Sequence, residues 1–315
     1  MDNYYLIKFK KYHKKYKAIF LIIVIEIYST FKHSKDISLK VCLCVIAKNE
    51  NLYVREFIDH YKNIGYNKIF LYDNNDKNGE HFEDVINDYI HNGFVKIIDF
   101  RERENNSRPI FDAYKDCYSK NNKQYDWLSF YDIDEFLELN KKYETIQDFL
   151  SDKLFHKCQN IKINWLMCDN EQSLYYENRP LLQRIKNFNY DNIENKYIKS
   201  TVRGNLRVNY WKKLNNPHTS KLKFISCSSS GKLIRYNSPY NDPPEFTNAK
   251  LKHFYYKSFE EYCIKIKRGK YDYPNKKRNI IINELYRSLY IANKNNPKKL
   301  KIIKKIFNDS IQILT

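Results

Sequence analysis

The stretch DWLSFYDIDEFLEL, Asp126 to Leu139, gathers carboxylates directly after an apolar, aromatic run. In an extended segment alternate side chains share a side, so Asp132 and Asp134 point one way and Ile133 the other. Two bare carboxylates that close repel each other, and one would hold a proton unless a cation neutralised the pair. A divalent metal supplies such a cation. Hard oxygen ligands suit Mg2+ or Mn2+, which keep several waters and bridge to substrate phosphates. The chemistry open to this pattern is metal-assisted work on a phosphate-bearing substrate. Acids two apart also occur at solvated strand-to-turn junctions, and spacing alone does not choose between the readings. Other phosphate signatures are missing: there is no G-x-x-x-x-G-K-[ST], no G-x-G-x-x-G, and only six glycines in the chain. That argues against a Walker-type kinase and a nicotinamide dehydrogenase.

These acids need elements to place them. From Leu39 onward, short apolar runs alternate with segments of helical period. LKVCLCVIA reads as a strand, and NLYVREFIDHYKNIG as a helix with Leu52, Phe57, Ile58, Tyr61 and Ile64 on its apolar face and Gly65 closing it. NKIFLYD, FVKIIDF and WLSFY continue the strand series, separated by the helical HFEDVINDYIHNG and by a helix near Pro109 to Lys120. Repeated βα order predicts an α/β fold with a doubly wound, mostly parallel sheet covered on both faces. In such sheets ligands bind beyond the carboxyl ends of the strands, where the acidic stretch sits. A short helix near TIQDFLSD and a strand QNIKINWLMC come next, followed by a polar, irregular tract to about Thr247. SFEEYCIKIKRG restarts a helix, with Ser258 and Glu261 at capping-box spacing. A basic, helix-like tail runs from Arg278.

The 315 residues carry a formal charge of +19, unevenly distributed. Residues 41–249 hold 30 Lys and Arg against 29 Asp and Glu, whereas residues 1–40 hold nine against three and residues 250–305 hold 17 against four. The excess therefore flanks a balanced domain, and two readings stand: flanks that meet an anionic surface, or an AT-rich coding bias that inflates lysine. The apolar run Ala18 to Phe31 is shorter than a bilayer-spanning helix requires, but beside its lysine-rich neighbour it suits either an interfacial helix or a packed core helix. Seven cysteines form no C-x-x-C pair or zinc spacing, and their odd number argues against a complete disulfide framework. A reducing, cytoplasmic setting is expected, with peripheral contact at the inner face of a membrane. The expected division is a basic and apolar segment over 1–38, a catalytic domain over 39–272 and a basic helical tail over 273–315.

Taken together, VCLCVIAKNENLYVREFIDHYKNIGYNKIFLYDNND and DWLSFYDIDEFLEL resemble the GT-A glycosyltransferases, and most closely glycosyltransferase family 92 with its family-2-like relatives. The resemblance continues through NKYIKSTVRGNLRV, NNPHT and LKHFYYKSFEEYCIKIKRG, covering roughly Leu39 to Tyr271. It implies a GT-A fold and sugar transfer from a nucleotide-sugar donor, UDP-linked, to a glycan or lipid-linked glycan acceptor, as in the building of cell-surface polysaccharide. It implies that Ala47, Lys48, Asn49 and Glu50 hold base and ribose, and that Asp73 contacts the nucleoside. Asp132 and Asp134 take the D-x-D place, Asp134 as ligand to Mn2+ or Mg2+ and Asp132 nearer the ribose or a metal-bound water. His253 completes the metal shell or touches the diphosphate, whose charge Lys257, Lys265 or Arg268 would neutralise. Lys199 and His218 are expected to border the site, and Trp127 and Trp165 to belong to the core.

Family 92 also implies inversion, which needs a carboxylate to take the acceptor proton. Asp169, with Glu171 second, follows the strand after the metal site and is the expected base, although CDNEQ replaces the pattern W..fg..g found there in the family. Two other functions compete: a nucleotidyltransferase on a similar fold, which would normally show a Gly-rich signature at its first strand, and a basic module for nucleic acid or anionic lipid. The neutral centre makes nucleic acid the less expected partner.

Overall fold

The computed structural model describes residues 39–101, 108–168, 173–206, 214–216, 218–220, 224–268, 286–287, 289–291 and 293–312. Its strands are β1 (Val41–Ala47), β2 (Lys68–Asp73), β3 (Val95–Asp99), β4 (Trp127–Phe130), β5 (Glu135–Leu139), β6 (Asn160–Met167), β7 (Ile198–Arg203), β8 (Leu214–Asn216), β9 (Thr219–Ser220), β10 (Ser226–Ser228), β11 (Leu233–Ile234) and β12 (Ala249–His253). The helices are α1 (Asn51–Asn63), α2 (Glu83–His91), α3 (Pro109–Asn121), α4 (Ile146–Ser151), α5 (Leu181–Arg184), α6 (Phe259–Arg268) and α7 (Pro297–Gln312).

Strand β1 shows why the sheet is covered on both faces. Its alternate residues Val41, Leu43, Val45 and Ala47 meet Tyr53, Val54, Phe57, Ile58 and Tyr61 of α1, together with α2. Cys42 and Cys44 face the other way, onto Ala113, Tyr114 and Tyr118 of α3. A strand buried on both sides reads as an unbroken apolar run, and VCLCVIA does. Parallel strands lie in the order β3-β2-β1-β4. Beyond β4 come β7, antiparallel to both its neighbours, then β6 and β10. β12 joins β6 in parallel and β5 antiparallel, forming a small flap of sheet beside the carboxyl edge. The expected α/β architecture, a sheet with a parallel core and helices on both faces, is present.

Local differences have physical causes. The buried stripe of α1 begins at Tyr53 and Val54, and Leu52 is 67% exposed; in the first turn it falls outside the arc that Phe57, Ile58 and Tyr61 define. The tract after β6, read from the sequence as irregular, contains β7, whose polar IKSTVR composition hid a central strand. Cys44 is bonded to Cys117 and Cys158 to Cys227, leaving Cys42, Cys168 and Cys263 free. The framework is incomplete, as the odd count implies, but two bridges form, and the cysteines no longer argue for a reducing compartment. Partners 73 and 69 residues apart leave no local pattern to read. Among the described residues no helix is long and apolar enough to cross a membrane. The segment 1–38 lies outside the described residues.

Candidate active site

Asp132 to Glu135 form the turn by which the chain leaves β4 and enters β5. The turn closes on itself: the Glu135 N–H donates to the Asp132 carbonyl at 3.0 Å, and the Asp132 N–H to Glu135 Oε2 at 2.9 Å. Asp132 accepts a bond from the Tyr114 hydroxyl of α3 at 3.0 Å and lies 2.7 Å from Lys199 Nζ. Lys199 projects from β7, fully buried, and is also 3.6 Å from Glu135. One cation thus faces two acids. Burial would raise the Asp132 carboxyl, but Lys199 outweighs it and holds the group below its ordinary range. Burial raises the wholly enclosed Glu135 well above its ordinary value, and Lys199 offsets only part of that. Of the three carboxylates it is Glu135, outside the D-x-D pair, whose protonated form burial favours.

Asp134 faces a different set of groups. Its Oδ2 is 2.5 Å from Lys265 Nζ of α6, its Oδ1 is 3.6 Å from His253 Nε2 at the end of β12, and its carbonyl accepts from the Phe254 N–H at 2.9 Å. Burial pushes its carboxyl up, but Lys265, His253 and Lys257 together hold it well below the ordinary range. Lys265 also donates to the Tyr255 carbonyl at 3.0 Å. Lys257, buried and in the left-handed region at φ 59°, lies 3.1 Å from Glu50 and 3.2 Å from the centre of the Tyr53 ring. Glu50 immediately precedes α1, so this pair ties the end of β1 to the β12–α6 junction.

The start of α6 is itself held by buried charge. Glu261 completes the expected capping box with Ser258, accepting from its N–H at 3.0 Å while its own N–H donates to Ser258 Oγ at 3.2 Å. It also receives both Arg184 nitrogens, at 2.5 and 2.7 Å, and the Tyr53 hydroxyl. Lys257 and Lys265 flank this anchor in sequence.

At the ends of β1 and β2, Ala47 stands opposite Asp73. The Asn49 N–H donates to Asn75 Oδ1 at 2.7 Å with Asn49 at φ 53°, and half-buried Lys48 pairs with exposed Asp76 at 2.6 Å. Asp73 has no exposed side-chain surface: its carboxylate takes the Arg101 guanidinium at 2.5 and 2.8 Å and the Asn75 N–H at 2.9 Å. The accessible group at this position is Arg101, a residue the sequence pattern did not single out.

Of the expected residues, Asp132 with Lys199, Asp134 with His253 and Lys265, and Lys257 with Glu50 form three ion-paired groups that feel one another through the charge of Asp134, and Ala47, Asn49 and Asp73 lie on the same carboxyl edge of the parallel strands. His218 borders it, donating to the Ile198 carbonyl at 2.8 Å; burial beside Lys199 lowers its pKa to about 3, so it stays neutral. Trp127 is core, fully buried under Arg203. Trp165 packs against the His253 ring at 4.3 Å and so abuts the site. Asp169, Glu171 and the side chain of Arg268 lie outside the described residues. The triad Asp132, Asp134 and His253 does not gather as a metal shell: among the described residues no three His, Cys, Asp or Glu side chains do so. Lys199 lies against Asp132 and Lys265 against Asp134, each offsetting part of the acid's charge. The signal for the missed Glu135 was present in DIDEF, but its role depends on Lys199, 64 positions away.

A sequence model described as glycosyltransferase family 92 matches residues 37–281. A glycosyltransferase family 92 protein of rice, Oryza sativa subsp. japonica, is 29% identical over 126 residues, which are 38% of this chain and 19% of the relative. The chain thus spans only a small part of that relative's length. Among solved structures, S. aureus TarS is similar at a TM-score of 0.38 and 14% identity over 79% of this chain and 43% of that one. The mannosyltransferase PcManGT of Pyrobaculum calidifontis, in complex with GDP-Man and Mn2+, reaches a TM-score of 0.34 and 9% identity over 92% and 83% of the two chains. Likenesses this weak carry no argument about ligands.

Proposed function

The chain belongs to glycosyltransferase family 92, and from that premise we propose that it is a glycosyltransferase that moves a sugar, with inversion, from a UDP-linked donor to a hydroxyl of a glycan or lipid-linked glycan, with a divalent cation bound. The observation that carries this reading is the meeting of Asp134, His253 and Lys265 at the carboxyl edge of the sheet, joined through Lys257 and Glu50 to the end of β1. Asp134 and His253 fit a two-ligand cation site. Their facing atoms, 3.6 Å apart, are beyond a normal hydrogen bond yet within the ~4.2 Å that two ~2.1 Å metal–ligand bonds span. Mg2+ and Mn2+ are commonly held by one or two protein ligands, with substrate phosphates and water filling the rest. Such an ion, when bound, withdraws electrons from the departing diphosphate.

The chain's own groups support the remaining steps. Lys257 and Lys265, brought in by the β12–α6 junction, face the negative charge that grows on the leaving diphosphate. Lys265 now rests on Asp134 and would exchange that contact for a phosphate oxygen. Lys199 keeps Asp132 ionised as an acceptor for a ribose hydroxyl or a bound water, and Tyr114 fixes its direction. Arg101, oriented by Asp73, stands where the sequence placed the nucleoside. For the acceptor proton the reading uses Asp169, with Glu171 second. Cys168, which precedes them in the sequence, donates its N–H to the His253 carbonyl at 3.1 Å.

Calorimetric titration with UDP in Mn2+, in Mg2+ and in EDTA tests this proposal. Binding is expected only with the ion present, and Asp134→Asn should abolish it in a chain that circular dichroism shows to be still folded. Ion-independent UDP binding that survives Asp134→Asn would remove the site. A screen of nucleotide sugars for donor hydrolysis then identifies the sugar.

A further inference from the structure

Helix α7 carries a charged surface that the transfer reaction does not use. Its apolar side is already occupied: Ile303 and Ile306 are buried with Phe259 and Cys263 of α6, Leu174 and Leu289, and Phe307 stacks on Tyr286 with ring centres 4.1 Å apart. The opposite side presents Lys298, Lys301, Lys304 and Lys305, all exposed, with exposed Lys294 just before the helix. The first turn has no acid to offset its lysines, although cations at a helix N-terminus oppose the helix dipole. Helix stability therefore gives no reason for their placement.

Beside the lysines stand apolar side chains that packing leaves uncovered. Ile291 is 67% and Tyr290 38% exposed, and Lys304 lies 5.7 Å from the Tyr290 ring centre. A polyanion such as nucleic acid rewards the lysines but not exposed isoleucine, whereas the headgroup layer of an anionic bilayer takes lysine, tyrosine and aliphatic groups together. We propose that the lysine face of α7, with Tyr290 and Ile291, is a docking surface for anionic phospholipid, by which the enzyme sits on a membrane without spanning it. The surface acts through charge first, because the helix has no free apolar side to insert.

The test is co-sedimentation of the full chain with phosphatidylcholine vesicles, with and without about 30% phosphatidylglycerol. Wild type should bind only the anionic vesicles and detach at 0.5 M salt, since screening shortens the reach of exposed charges to a few ångströms. Each lysine at an anionic surface contributes roughly fivefold in partition, so the triple variant Lys301→Glu, Lys304→Glu, Lys305→Glu should bind roughly a hundredfold more weakly. Ile291→Asn should bind more weakly while keeping the salt response. Donor hydrolysis in solution should be unchanged in both variants, which separates this inference from the assignment of the active site. Undiminished binding by the triple variant, binding to neutral vesicles, or binding to a DNA duplex in preference to anionic vesicles would each overturn it.

Discussion

Replacing Arg184 by Met tests how a buried ion pair outside the site controls the site. Arg184 and Glu261 are only 2% and 5% exposed, and the guanidinium meets both carboxylate oxygens, at 2.5 and 2.7 Å. Methionine fills much of the volume but leaves Glu261 with a buried charge. Removing one member of such a pair costs about 3–5 kcal/mol. At about 2 °C per kcal/mol for a chain of this size, the melting temperature should fall by roughly 6–10 °C. Adding Glu261→Gln, which preserves a cap acceptor, should restore much of the loss, giving a coupling of about 2 kcal/mol or more in a double-mutant cycle. The pH dependence follows from the Glu261 carboxyl: burial alone would raise it, but Arg184, Ser258 and Tyr53 hold it below 4.5. Its contribution is therefore complete above pH 4.5 and fades as the pH falls through the folded value, so wild type and variant should converge in acid. Because α6 also carries Lys265, the variant should lose donor affinity beyond what its residual fold explains. A fall of under 2 °C, or additive effects in the cycle, would refute this account.

Glu135→Gln should melt close to wild type near pH 5 and increasingly above it as the pH rises to 8. Wild type, with its Glu135 carboxyl raised by burial, holds more protons folded than unfolded above pH 4.5 and so loses stability on that side; a flat or shrinking difference would show Glu135 ionised. Gly204→Ala should destabilise by about 3 kcal/mol in denaturant melts, because its Cβ would stand 1.9 Å from the Tyr125 carbonyl oxygen and 2.5 Å from that of Asn122, neither of which can move cheaply. Thiol titration of the denatured, unreduced chain should count three cysteines, and reduction should lower the melting temperature, since bridges closing loops of this length contribute up to about 4 kcal/mol each. Seven titratable thiols would refute the pairing.

Residues close in the chain were legible from sequence because their pattern is local. The alternation of VCLCVIA, the 3.6-residue stripe of α1, the Ser258–Glu261 box and the two acids of DIDEF each express geometry set within a turn or a strand. Together they placed the parallel strands and put Asp132 and Asp134 at the edge where such sheets bind ligands. What neutralises those acids was decided elsewhere. Lys199 reaches Asp132 because β7 inserts antiparallel beside β4, and Lys265 reaches Asp134 because β12 pairs with β5 and delivers α6 to the turn. Neither contact leaves a periodic trace, and the same holds for Arg101 on Asp73 and for cysteines bridging some 70 residues. Charge compensation in a low-dielectric interior depends on distance in space, and strand order sets that distance.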